Sequence, residues 1–193
     1  MTTASYTTDL RPLRDDDQPL YLTLYTCPRV MARFGPPLDA GRATRAFRKV
    51  MAHNRSDVPG HRTWAVVDTA TGRALGIAAL HREGRVAEAG IMLLPAAWDG
   101  RRSHAVMDRL VLHAFDVAGV ERLIGVCLRG ANERMSRRLP QPYGFAEEPP
   151  RATGYRAAGP GPRALVGRTS AGDWQERSGP VETGFRSRGE PKR

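Results

Sequence analysis

Apolar and polar residues change period several times along the chain, and each change marks an element. Leu10 to Leu13 reads as a short strand, and Asp15, Asp16 and Asp17 then stand as helix-opening acids before Leu20, Leu22 and Leu24. The stretch Arg33-Phe34-Gly35-Pro36-Pro37 should break that helix, after which Asp39 is placed to cap a second one. Its apolar positions Ala43, Ala46, Phe47, Val50 and Met51 recur at the three- and four-residue spacing of one helix face. Trp64 to Asp68 and Ala74 to Leu80 are β-rich runs, joined by Thr69-Ala70-Thr71-Gly72-Arg73, a hairpin loop with glycine where a left-handed residue is wanted. A further strand, Ala87 to Leu94, is closed by Pro95.

The second half of the chain mixes the two periods. Trp98-Asp99-Gly100-Arg101-Arg102-Ser103 is a turn leading into a helix with apolar Val106, Leu110 and Ala114 beside Met107, Val111 and Phe115. Leu123 to Leu128 follows as a buried strand, and Asn132 to Leu139 opens a helix that Pro140 and Pro142 stop early. Gly144-Phe145 begins the last sheet segment, and Ala164-Leu165-Val166 reads as an edge strand that pairs with another subunit or ends exposed. From Gln175 onward the chain is charged and rich in Gly and Pro, so residues 1–174 are expected to form one domain and 175–193 a basic, disordered tail.

Composition narrows the class. The chain has 193 residues and 40% apolar content, enough for one core, and no apolar run approaches the roughly 18 residues of a membrane-spanning helix. Met1 to Leu10 has no apolar signal core, so a cytoplasmic location is expected, with no membrane partner. Cys27 and Cys127 offer neither a disulfide framework nor zinc-like spacing. The formal charge is +10, and all basic residues except Lys49 and Lys192 are arginine. Arginine's planar fork binds phosphate oxygens bidentately, so such a surface suits a nucleotide, a phosphorylated cofactor or RNA, or is simply a solvated basic face.

A strand, a tight turn and a helix in the middle of a mixed chain place backbone N–H groups and a helix dipole before an anion. The pieces around that unit are Leu10-Arg11-Pro12-Leu13, Trp64 to Asp68 with Thr71-Gly72, Glu88 to Leu93 before Pro95 and Trp98, and Asn132 with Ser136 and Gly144-Phe145. In order and spacing they resemble the GNAT superfamily of acyltransferases, in the branch that includes the ribosomal-protein N-acetyltransferases. The resemblance implies an α/β (α+β) fold: a central twisted, mixed and mainly antiparallel sheet, splayed at its middle and flanked by helices. It further implies an acyl donor, acetyl-CoA or another acyl-CoA, held in the splay by backbone amides of Met92, Leu93 and Leu94. Arg101, Arg102, Ser103, His104 and Asn132 would complete the donor site. Glu88 resembles the strand glutamate that acts as general base in many relatives; its alternative role is an ion-paired surface glutamate near Arg85. His81 is a second candidate base.

Two departures from the family pattern bear on the donor. The pyrophosphate-wrapping turn has Arg101 where the family has its central glycine, and a β-carbon with a long side chain obstructs close approach of phosphate to backbone. Counting back from Gly144-Phe145 puts Pro140 where many relatives have a tyrosine that protonates the leaving thiolate, so either Ser136 or a water would take that role or the leaving group needs no such acid. Tyr143 is close in sequence and reads as an aromatic plug under the sheet. Residues 101–138 hold eight arginines against four acids, a net +4 where the donor should lie.

Three functions are compatible with these residues. One is N-acylation of a primary amine, a small molecule or a protein N-terminus, by direct attack on acyl-CoA in a ternary complex. Another is acyl transfer from a macromolecular donor, aminoacyl-tRNA or an acidic carrier protein, which the positive charge would favour. The last is a non-catalytic binding protein built on the same fold. The acceptor and the oligomeric state cannot be read from the sequence.

Overall fold

The structure, a computed structural model, describes residues 8–98, 101–128, 143, 145–148 and 163–170. The expected helix at Asn132 to Leu139 and the tail lie outside these residues. Strand β1 (Thr8–Pro12) is followed by a 3₁₀ turn (Asp15–Asp17), helix α1 (Gln18–Thr26), a single-turn helix α2 (Pro28–Met31) and helix α3 (Ala40–Arg55). Then come β2 (Arg62–Asp68), β3 (Ala74–Glu83), β4 (Val86–Leu93), helix α4 (Arg101–Leu112), β5 (Arg122–Leu128), β6 (Ala146–Glu148) and β7 (Arg163–Ser170).

Local chemistry sets most boundaries. The first helix ends earlier than the Gly-Pro-Pro stretch, because Pro28 holds Cys27 in an extended conformation and removes the N–H that would continue α1. Asp39 caps α3, its Oδ1 accepting from the Arg42 N–H at 2.8 Å. Gly72 takes φ 69° in the β2–β3 loop, where Asp68 Oδ1 accepts from the N–H groups of Ala70 and Thr71. The β3–β4 connection is a two-residue hairpin, Gly84-Arg85, with φ 59° at the glycine only, the pattern of a type II′ turn. Helix α4 runs on into one π-helical turn, His113–Val117, in which the Ala118 N–H reaches back to the His113 carbonyl.

The sheet order is β1-β2-β3-β4-β5-β7-β6. Every pairing is antiparallel except β4 with β5, which are joined through α4 as a crossover. Strand β7, expected at an edge, instead sits between β5 and β6 and completes both of its ladders; the edges are β1 and β6.

Strand alternation sends side chains to two helical layers. On one face Val66, Ala78, Leu80, Ala89 and Leu93 pack with Val106, Met107, Leu110, Val111 and Ala114 of α4. On the other, Ala65, Ile77 and Met92 pack with Tyr21 and Leu24 of α1 and with Phe47 and Met51 of α3. Among the described residues no helix is long and apolar enough to cross a membrane.

The start of α1 is pinned to β1 by a buried ion pair. Arg11 donates to both Asp17 oxygens at 2.6 and 2.7 Å, and the Arg14 N–H adds a third bond at 2.8 Å. Burial alone would raise the Asp17 carboxyl, but these donors reverse the effect and hold it below the ordinary carboxylate value. Replacing Asp17→Asn should cost about 2–3 kcal/mol, the scale of hydrogen bonds to a buried charge. A depressed folded-state value means the contribution is complete at neutral pH and lost as the pH falls through that value. Acid titration of the thermal midpoint should therefore show the two proteins converging at low pH.

Candidate active site

The parallel ladder between β4 and β5 is short. Its rungs are Val86 with Arg122, Ala87 with Leu123, Glu88 with Ile124, and Ala89 with Gly125, and there it stops. Both strands continue, β4 to Leu93 and β5 to Leu128, so beyond Ala89 their facing edges part. This is the splay that the resemblance implied.

Which backbone groups face the opening follows from parity. The Leu94 N–H donates to the Leu75 carbonyl at 2.8 Å, and this rung has the phase of the Gly84-Arg85 hairpin, closed by Glu83 opposite Val86. In an antiparallel ladder such rungs recur at every second residue, so Glu88, Gly90 and Met92 direct their backbone N–H and C=O toward β3. Odd-numbered residues turn the other way. The Arg85 carbonyl accepts from the N–H groups of Glu121 and Arg122, and the Leu93 carbonyl accepts from the Trp98 indole N–H at 2.8 Å. The amides aimed into the opening are therefore those of Ile91 and Leu93. Of the three amides that the resemblance implied, that of Leu93 faces the opening, while those of Met92 and Leu94 point toward β3. The close approach of β3 at this point depends on Gly76, where an added Cβ would collide with the Met92 carbonyl and lie 2.8 Å from the Leu93 Cα.

Glu88 sits on the penultimate rung, one residue before the strands part. Its side chain shares a face with Met92 and Ile77, toward α1 and α3, and its Oε2 is shielded from solvent. Arg85, the candidate ion-pair partner for Glu88, instead pairs with Glu121 at 2.8 Å. Across the ladder Glu88 stands opposite His81, in a rung with Cα atoms about 5.5 Å apart. The His81 ring packs on His61 at 5.0 Å between centroids, and His61 packs on His53 at 5.1 Å. Desolvation, followed by the charge of neighbouring histidines, holds His61 and His81 below the usual histidine range. Only His81 of this trio was visible as a candidate; the others approach it across α3 and the α3–β2 loop.

Of the other expected donor-site residues, Arg101, Arg102, Ser103 and His104 form the first turn of α4. Arg101 is exposed. Arg102 faces Asp68 at 3.8 Å, and Arg109 further along faces Asp9 at 3.6 Å, so part of the charge that suggested a macromolecular donor is balanced by the β1–β2 edge. Tyr143 is buried, its hydroxyl 2.7 Å from Asp108 Oδ1 and 3.1 Å from the His104 carbonyl, with its ring edge-on to Phe145. Burial and then Asp108 push the phenol well above its ordinary value. Ser136, Asn132 and Pro140 lie outside the described residues.

Two contacts had no signal in the sequence. Arg29 and Arg33, from α2 and the turn after it, lie over the Trp98 ring at 5.4 and 4.1 Å. They are far from Trp98 along the chain, and only the fold brings them together.

The described residues thus hold a strand pair that parts one residue after Glu88, with the crossover helix α4 joining the two strands. The model of the acetyltransferase (GNAT) domain family matches residues 8–146, and the chain belongs to that family. Among solved structures it is similar to spermidine N-acetyltransferase from Vibrio cholerae, solved with CoA and spermine. That match has a TM-score of 0.71 and 16% identity over 88% of this chain and 99% of that one. It is also similar to an acetyltransferase from T. thermophilus, with a TM-score of 0.66 and 21% identity over 89% and 90% of the two chains. A dodecameric form of the Vibrio protein matches at TM-score 0.68 and 16% identity, over 91% of this chain and 100% of that one. No curated protein sequence matches the chain.

The Tyr143 contacts give a direct expectation. Tyr143→Phe should lower stability by about 1–2 kcal/mol through loss of the Asp108 bond. Turnover should stay within a few-fold of the parent; a loss of roughly 100-fold or more, measured in steady state, would make the phenol a proton donor.

Proposed function

We propose that the protein is an N-acyltransferase that moves an acyl group, acetyl by default, from acyl-CoA to a primary amine by direct attack in a ternary complex. The observation carrying this reading is the end of the β4–β5 ladder at Ala89 and Gly125, with Ile91 and Leu93 amides turned into the gap beside Glu88. A carbonyl lying in the gap would have its oxygen within reach of these fixed donors. Donors of this kind, aimed at a developing oxyanion in a site that excludes water, contribute roughly 2.7–4 kcal/mol each.

Glu88 acts as general base, directly or through one water, taking a proton from the ammonium before attack or from the amine nitrogen as it attacks the acyl carbonyl. Its position at the point where the strands part supports the role, because an amine reaching the gap from the α1–α3 side passes its carboxylate. The pyrophosphate of the donor would lie at the α4 N-terminus, where Arg101, Ser103 and His104 can add side-chain donors to the helix dipole. Arg102 would reach it only by loosening its contact with Asp68.

Two measurements test the reading. Acetyl-CoA at about 100 times its Kd should stabilise the protein by roughly 2.7 kcal/mol, seen as a rise in thermal midpoint; no rise at millimolar concentration would overturn the donor assignment. Glu88→Gln should keep that rise while lowering kcat by roughly 10²–10⁴-fold, the usual range for loss of a general base. Equal kcat in the two proteins would remove Glu88 from the mechanism.

A further inference from the structure

The helices that cover the Glu88 face of the sheet carry an excess of basic residues. Between Gln18 and Asn54 the chain carries Arg29, Arg33, Arg42, Arg45, Arg48 and Lys49 against one acid, Asp39, a net of +5 and half the formal charge of the protein. Asp39 is used at the α3 N-cap and lies 3.4 Å from Arg42. Among the described residues Arg29, Arg33, Arg45, Arg48 and Lys49 form no ion pair. These residues belong to the helical layer that packs on the Ile77, Met92 and Glu88 face.

Arg29 and Arg33 are the members of this set closest to the reacting end of β4. Both guanidinium groups lie over Trp98, whose indole N–H is bonded to the Leu93 carbonyl. Arg29 is exposed and Arg33 half-buried, so the stacking holds the cations at the rim of the opening while leaving donor hydrogens for a ligand. Glu88 itself faces His81 across the ladder, with His61 packed edge-on to that ring and His53 edge-on to His61. Among the described residues no group of three or more acids, histidines and cysteines converges on one point.

From this charge placement we infer that the acceptor is an amine that also carries a carboxylate or phosphate, with Arg29 and Arg33 receiving that anion. The inference rests on the acyltransferase reading and adds the acceptor's class. Two physical effects favour such an acceptor. The guanidinium pair attracts its anionic group and gives orientation through forked hydrogen bonds. The same positive field disfavours the ammonium form, so more of the amine arrives unprotonated and able to attack. A polyamine, cationic along its whole length, would meet repulsion here, with Glu88 the single acid that β4 offers it.

The test uses the full chain with acetyl-CoA and four acceptors: free glutamate, an acidic hexapeptide with a free N-terminus, the same hexapeptide with its carboxylates as amides, and spermidine. The anionic acceptors should exceed the amide peptide by roughly tenfold or more in kcat/KM, with the margin shrinking as salt rises from about 0.05 to about 0.5 M. Whichever of glutamate and the acidic peptide leads tells a small acceptor from a polypeptide one. In Arg29→Gln/Arg33→Gln the preference should fall by about tenfold through acceptor KM, and Arg33→Lys, which keeps the charge and loses the planar stack, should fall between. A rise confined to the acetyl-CoA KM would assign the arginines to the donor and overturn the inference, as would equal rates for acidic and amide peptides or a preference for spermidine. Calorimetric binding of the acidic and amide peptides to each protein gives the same comparison without turnover. If acetyl-CoA fails to bind, the acyltransferase reading falls; if it binds and the peptides are not distinguished, only the acceptor assignment falls.

Discussion

The shortness of one parallel ladder organises the molecule. Four rungs join β4 to β5, after which each strand keeps its other neighbour and loses this one. Backbone groups left along such an edge are strong donors and acceptors that must be met by something. The Leu93 carbonyl is met by the Trp98 indole, which caps the far end of the gap and leaves a short stretch of amides facing into it. A glycine at 76 permits β3 to press against this same stretch from behind, so the edge is held in place on the side away from the gap.

The two faces of the sheet do different work. The α4 face is apolar and fastened by polar contacts at its margin: Tyr143 to Asp108, Arg102 to Asp68, and Arg109 to Asp9. These fasten α4 to the sheet. The α1–α3 face carries the basic layer and the histidines near Glu88.

Much of the fold was legible because single residues dictate it. Asp39 as a cap, Gly72 in a left-handed turn, Pro95 after β4 and the apolar stripe of α4 were visible in the sequence and appear in the structure as expected. What failed was whatever depends on partners distant in sequence. Ala164 to Val166 looks like an edge strand by composition, yet its place between β5 and β6 is a matter of topology. Which β4 amides turn away from β3 was not legible, because the direction of each N–H is set by the length of the Gly84-Arg85 turn and not by side-chain identity. Glu88 stood out only through family resemblance. Arg29 and Arg33 gave no signal, since nothing local marks an arginine that will stack on a tryptophan far along the chain.

The four-rung junction also divides the sheet mechanically. β1 to β4 form one antiparallel block, and β5, β7 and β6 form another, with the short ladder and the α4 crossover between them. Among the described residues, hydrogen bonding between the blocks is thus confined to these rungs, while the buried cluster under α4, from Val66 and Leu80 to Leu123 and Phe145, runs across both. A molecule lodged between the separated edges and touching both would act as a splint, adding contacts where the backbone ladder is missing.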